Sequence, residues 1–138
     1  MIKIYQDKFG SPSGPKEELG NCYPACVATI MGLGLEDVPH FYAKGYEWWD
    51  ICGWVSERGF RLLPFGEPIH EDWRRIFNGC VAIFTGPSPR FDDGTMHAVV
   101  GRITLDGWDL LHDPHPEGDG FSGPPEMAEI FLRDADCG

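Results

Sequence analysis

The stretch Gly20-Asn21-Cys22-Tyr23-Pro24-Ala25-Cys26-Val27-Ala28-Thr29-Ile30-Met31-Gly32 decides the fold class. Between Cys22 and Met31 only Tyr23 and Thr29 carry polar side-chain groups besides the thiols, and a helix that is apolar nearly all round is buried on most sides. Asn21 is the expected N-cap, Pro24 fits a first turn where a missing N–H is tolerated, and Gly32 and Gly34 stop the helix.

Upstream, residues 10–20 are rich in Gly, Pro and Ser and read as a loop, and Ile2 to Gln6 alternate apolar and polar like a short edge strand. Downstream, Leu35 to Phe41 predicts a short helical turn limited by Pro39. In Tyr46 to Arg58 the residues Trp48, Ile51, Cys52 and Val55 recur at i, i+3, i+4 and i+7, the spacing of an amphipathic helix, with Gly59 as its stop. Phe60 to Phe65 reads as a strand, and Ile69, Trp73, Ile76 and Phe77 mark a short helix ended by Asn78-Gly79. Four strands follow, at Cys80–Phe84, Met96–Thr104, Trp108–His112 and Ile130–Leu132, separated by Gly/Pro-rich loops at 85–95 and 114–126. There are no repeats and no linker. Helices first and sheet second predict one α+β domain over residues 1–138, with the Cys22 helix buried on an antiparallel sheet.

A chain of 138 residues is long enough to bury a core without metal or disulfide support. Its 22 acidic and 11 basic residues give a net charge of −11, which opposes a nucleic-acid binder or a polybasic membrane surface. No stretch approaches the roughly 20 apolar residues of a membrane span. Residues 1–10 lack the apolar core of a signal peptide, so a cytoplasmic location with reduced thiols is expected. The five cysteines (Cys22, Cys26, Cys52, Cys80 and Cys137) are odd in number and scattered, without a Cys-x-x-Cys pair. That pattern suits neither a disulfide framework nor a zinc site and leaves nucleophilic chemistry as the reason to look at a cysteine.

Cys22 is the first candidate. A thiol at a helix N-terminus faces unsatisfied N–H groups and the positive end of the dipole, which favour the thiolate and supply donors for an oxyanion. Taken alone, a helix-start cysteine is more often a small buried hydrophobe, and Cys26, one turn on, reads as core. A thiolate needs a base, and the base an orienting group. His97 opens the apolar strand His97-Ala98-Val99-Val100-Gly101, and Asp113 ends the next strand in His112-Asp113-Pro114. With a two-residue turn at Asp106-Gly107, Asp113 falls opposite Val100, on the face away from His97. With a three-residue loop, Leu105 to Gly107, it falls opposite Val99, on the His97 face. Gly107 in a left-handed bulge favours the second, so a Cys22–His97–Asp113 triad requires the odd loop.

Asn-Cys-x-Pro-Ala-Cys opening an apolar helix, then His-Ala-Val-Val, then Asp-Pro at a strand end, resembles the papain-like cysteine peptidases, and within them the bacteriocin-processing branch that cleaves after double-glycine leaders. The resemblance implies a papain-like α+β fold. It implies a thiol protease in which Cys22 is the nucleophile, Cys26 the accompanying second cysteine, His97 the base and Asp113 its partner. It covers the helix start and the hairpin, and a leader-peptide substrate is not carried over with it. Tyr23 stands where the family has glycine. The family's oxyanion glutamine lies a few residues before the cysteine, where this chain has Lys16, Glu17 and Glu18. Gln6 takes that role if residues 9–19 are an insertion. The expected activity is hydrolysis of a peptide or isopeptide bond in a peptide or protein substrate through an acyl-enzyme, with no cofactor or metal. Acyl transfer or deamidation on the same triad, and a non-catalytic acidic binding protein on the same scaffold, are the alternatives. No oligomeric interface is assigned.

Trp48, Trp49, Trp54 and Trp73 at helical spacing read as core rather than as a substrate groove. His112-x-x-His115 has the spacing of a metal pair, but the interleaved Pro114 and Pro116 favour a loop near the site. His40 and His70 carry no evident role, and Arg74-Arg75 reads as a solvated helix face. Asp92-Asp93-Gly94 reads as a turn whose acidic rim would attract a basic substrate residue. Residues 134–138 are expected to fray. Substrate choice is expected in the loops 9–19, 85–95 and 114–126.

Overall fold

The apolar run after Asn21 forms helix α1, Cys22–Met31, which Gly32 ends in the left-handed conformation (φ 71°) with its N–H on the Ala28 carbonyl. In the computed structural model, which describes residues 1–134, α1 is followed by α2 (Trp48–Ser56) and α3 (Glu71–Ile76). Single 3₁₀ turns occupy Lys16–Glu18 and Leu35–Asp37. The strands are β1 (Phe60–Gly66), β2 (Val81–Pro87), β3 (Met96–Thr104), β4 (Gly107–His112) and β5 (Met127–Arg133). They make one five-stranded sheet in the order β1-β5-β2-β3-β4, with every pair antiparallel. The architecture is therefore mixed α and β, with helices on an antiparallel sheet. Among the described residues no helix is long and apolar enough to cross a membrane.

Both sheet faces are covered, which explains why the strands read as continuous apolar runs rather than as an alternation. On one face Val27 and Ala28 of α1, Phe41, and Ile51 and Val55 of α2 pack with Ile83, Val100 and Phe131. On the other, Ala82, Phe84, Val99, Ala128 and Ile130 pack with Ile69, Phe77, Trp108 and Phe121. Buried neighbours two apart along β2 (Ala82, Phe84) share one face and Ile83 takes the other, as the strand period requires.

The hairpin differs from the expected one in its turn. Thr104 pairs with Gly107, so the loop is the two residues Leu105-Asp106 and not the three residues Leu105 to Gly107. Pairing runs regularly to Gly101–Leu110 and then shifts to Val100–His112, so Leu111 is an extra, bulged residue. The bulge supplies the offset expected of the longer loop. Asp113 follows His112 opposite Val99, on the same side of the strand pair as His97.

Three further expectations are corrected. Residues 2–6 form no strand. Thr29 Oγ1 accepts from Ile4 N–H (3.0 Å), the Ile4 carbonyl lies 2.6 Å from His112 Nε2, and Gln6 N–H donates to the Pro114 carbonyl (3.0 Å), so side chains and a loop hold the segment instead of a ladder. Arg74 is not simply solvated, because its Nε donates to the Leu105 carbonyl (3.0 Å) and ties α3 to the hairpin turn. Asp134 is anchored by its N–H to the Gly59 carbonyl (2.9 Å) and its carboxylate to Arg61 (3.1 Å). The rest of the expected frayed tail, with Cys137, lies outside the described residues.

Candidate active site

Cys22 is the first residue of α1, and the residue before it does not cap the helix. Asn21 turns its side chain the other way. Its Oδ1 accepts from the N–H groups of Asp7 and Lys8 (both 3.0 Å), and its Nδ2 donates to Asp7 Oδ1 (2.7 Å). Pro24 has no N–H, and Ala25 N–H already donates to the Asn21 carbonyl (3.1 Å). The first-turn donors without an intrahelical acceptor are therefore those of Cys22 and Tyr23.

The same contacts bring Gln6 to the helix start. Residues 10–20 leave and return at one point: Gly10 N–H donates to the Glu18 carbonyl (2.8 Å), Gly20 N–H to the Gly10 carbonyl (2.8 Å), and Asn21 N–H to the Lys8 carbonyl (3.3 Å). His40, without a role in the sequence, has Nε2 at 2.8 Å from the Leu19 carbonyl and holds the returning strand of this excursion. Gln6 is buried and lines the same cavity as Cys22. Its Nε2 donates once, to the Lys8 carbonyl (2.9 Å), which leaves one amide proton unspent, and its Oε1 is buried without a partner.

His97, buried at the start of β3, has Nε2 at 2.7 Å from Asp113 Oδ1 and lies within interaction range of the Cys22 thiol. With Nε2 taken by Asp113, Nδ1 is the ring nitrogen left for the thiol. Asp113 Oδ1 also accepts from His115 N–H (2.9 Å), and Oδ2 from Gly120 N–H (2.7 Å), so the carboxylate is fixed from three sides. Burial acts to lower the His97 pKa, but the hydrogen bonds and charges of Asp113 and Cys22 override it and raise it to about 9. Burial acts to raise the Asp113 pKa, and its hydrogen bonds from His97, His115 and Gly120 bring it below the ordinary value. Cys26 lies fully buried, and burial followed by the nearby Cys22 holds its thiol well above the usual range, as expected of a core cysteine.

A cavity of about 540 Å³ opens on Cys22, His97 and Gln6. All three loops singled out in the sequence reach it, through Phe9 and Leu19, through Ser88 and Arg90, and through His115. Phe121, which the sequence did not single out, packs its ring 6.3 Å from His97. It fits there because its neighbour on the strand opposite His97 is Gly86, where a Cβ would lie 2.9 Å from the Phe121 ring.

Other expectations divide. None of Trp48, Trp49, Trp54 and Trp73 lines the cavity; Trp49 and Trp73 are exposed and not core. His112 and His115 point to different partners, the Ile4 carbonyl and Glu117 N–H, and among the described residues no three ligand-type side chains converge on a metal position. Asp93 folds back on Thr95 N–H (3.0 Å), and neither it nor Asp92 lines the cavity, so Asp92-Asp93-Gly94 is a turn whose carboxylates stand outside it. The sequence also left Glu129 unread. It is buried on β5, accepts from the Tyr23 hydroxyl (3.1 Å), and burial raises its pKa to about 7 against that hydrogen bond. The available signal was one carboxylate inside the apolar run Ala128 to Leu132.

Compared with protein-family models, with curated proteins and with solved structures, the chain matches none of them.

Proposed function

We propose that the protein is a cysteine-nucleophile hydrolase, a peptidase or amidase cutting a peptide or isopeptide bond in a peptide or protein substrate. The observation that carries this reading is that Cys22 and His97 line one cavity and interact with each other, with Asp113 hydrogen-bonded to the far side of the His97 ring. A thiol at a helix start, a histidine at a strand start and a carboxylate just past the end of the neighbouring strand also support the finer resemblance to papain-like peptidases.

His97 takes the Cys22 proton, and the resulting imidazolium is stabilised by the buried Asp113 carboxylate on its far nitrogen. A ring whose pKa lies near 9 stays charged at neutral pH, so it holds the proton that the leaving amine will need. The thiolate attacks the carbonyl carbon, and the oxyanion takes the Cys22 N–H and the unspent Gln6 amide proton. As the C–N bond breaks, His97 returns its proton to the leaving amine and a thioester remains. His97 then deprotonates a water that attacks the thioester, releasing the acid and the free thiol.

Thiol reactivity tests this. At pH 6, iodoacetamide should modify Cys22 roughly tenfold or more faster than Cys52, which is likewise partly exposed, and His97→Ala should remove the difference. In parallel, a peptide mixture followed by mass spectrometry should be cleaved by the wild type and not by Cys22→Ala. Equal, slow labelling, or cleavage retained by Cys22→Ala, would overturn the assignment.

A further inference from the structure

The cavity differs from the rest of the molecule in charge. The chain has 22 acidic residues against 11 basic ones, yet no described residue lining the cavity is Asp or Glu. The lining does contain a basic residue, Arg90, on the loop between β2 and β3. The loop fixes it from the backbone: Arg90 N–H donates to Ser88 Oγ (3.2 Å), and buried Ser88 donates its N–H to the Thr95 carbonyl (3.0 Å).

The side chain itself is under-partnered. Arg90 Nη1 is buried with no hydrogen-bond partner, and the carboxylate facing it, Asp119 Oδ2, lies at 3.8 Å, outside hydrogen-bonding range. Asp119 is half exposed and at that distance makes no hydrogen bond to the mostly buried Arg90, so it leaves the guanidinium only loosely paired. On the same lining, His115 Nδ1 accepts from Glu117 N–H (3.1 Å), which puts the proton of the neutral ring on Nε2 as a second donor. Around these donors stand Phe9, Phe91 and Met96. An apolar wall with an unspent guanidinium suits a carboxylate on a short apolar stem, because the planar fork matches both carboxylate oxygens. A chain of net charge −11 repels acidic ligands at long range, so accepting one requires such a local cation.

Resting on the hydrolase reading of Cys22, we infer that Arg90 is a specificity residue that receives a carboxylate of the substrate, so that the bond cut lies close to an acidic side chain or a free C-terminus.

Bromoacetyl dipeptides test this without a known substrate, since the Cys22 sulfur bonds to the methylene carbon as bromide leaves. Three labels are compared: bromoacetyl-Gly-Gln-amide, bromoacetyl-Gly-Glu-amide and bromoacetyl-Gly-Gln with a free C-terminal carboxylate. In the wild type one or both acids should modify Cys22 roughly ten- to hundredfold faster than the neutral label, and the faster acid identifies which source of carboxylate is read. Arg90→Gln should bring the acid-to-neutral ratio close to one. Arg90→Lys, which keeps the charge without the fork, should give an intermediate ratio, and Asp119→Asn should raise it. Equal rates in the wild type, or a preference that survives Arg90→Gln, would overturn the inference. The ratio is internal to each protein and readable at pH 8.5, where an ordinary thiol also alkylates. An unactivated Cys22 would thus defeat the hydrolase reading while leaving the Arg90 ratio to stand or fall by itself.

Discussion

Asp113 shows how much one side chain is asked to do. It holds the His97 ring, raises its pKa together with Cys22 to about 9, and accepts the backbone of the following loop at His115 and Gly120. Asp113→Asn keeps the shape and removes the charge. The basic limb of kcat/KM should then move from near pH 9 toward the ordinary histidine value, and kcat should fall roughly a hundredfold or more. The sign also fixes a stability effect. A histidine raised in the folded state stabilises it fully below pH 6.5 and loses that contribution as pH rises through about 9. Urea melts across this window should show a flatter decline in Asp113→Asn, and an unchanged slope would mean that Asp113 does not hold the ring.

At the scale of elements, α1 depends on the segment before it as much as on its own apolar faces. Asn21 gives up capping to fasten Asp7 and Lys8, and through them Gln6, to the helix start. Asn21→Ala should cost about 1–3 kcal/mol and speed amide exchange at Asp7 and Lys8, read by urea melts and hydrogen exchange. A loss below about 0.5 kcal/mol with unchanged exchange would leave Asn21 idle. These elements also show what the sequence could convey. Helix α1 was legible because its apolar residues leave no exposed face. The β3–β4 pair was legible from alternation, but alternation left two sides open for Asp113, and the three-residue loop expected to set it beside His97 does not form. The route that sets it there was not legible, since a bulge at Leu111 trades against a shorter loop and no local preference marks which of the two occurs. Residues 2–6 alternate like a strand but settle on Thr29 and His112, because partners distant in sequence decide what an extended segment pairs with. Arg90 and Glu129 went unread because charge in a loop or in a strand acquires meaning only from what surrounds it.

For the whole molecule, the acid Glu129 makes stability depend on pH in one direction. Its folded pKa is raised to about 7 by burial, so the folded state carries the extra proton and stability falls as pH rises from the ordinary carboxyl value through about 7. The penalty reaches on the order of 3 kcal/mol above that range. Glu129→Gln retains an acceptor for the Tyr23 hydroxyl without the charge. It should match the wild type near pH 4 and exceed its stability at pH 8 by about 1–3 kcal/mol in denaturant titrations. Equal stability at both pH values would place the carboxylate in a wetter setting than the buried one described.

The excursion of residues 10–20 is clamped where it departs and rejoins, by Gly10, Gly20 and Asn21, while Phe9 and Leu19 at its ends form part of the cavity wall. The wall can therefore be rewritten by grafting segments of other length and composition between those anchor points, with the nucleophile and its amide neighbour staying in register. On the proposed hydrolase reading, the fold thus separates a replaceable part of the recognition surface from the Cys22–His97–Asp113 chemistry, and this segment is the natural place to diversify in a selection for new cleavage preferences.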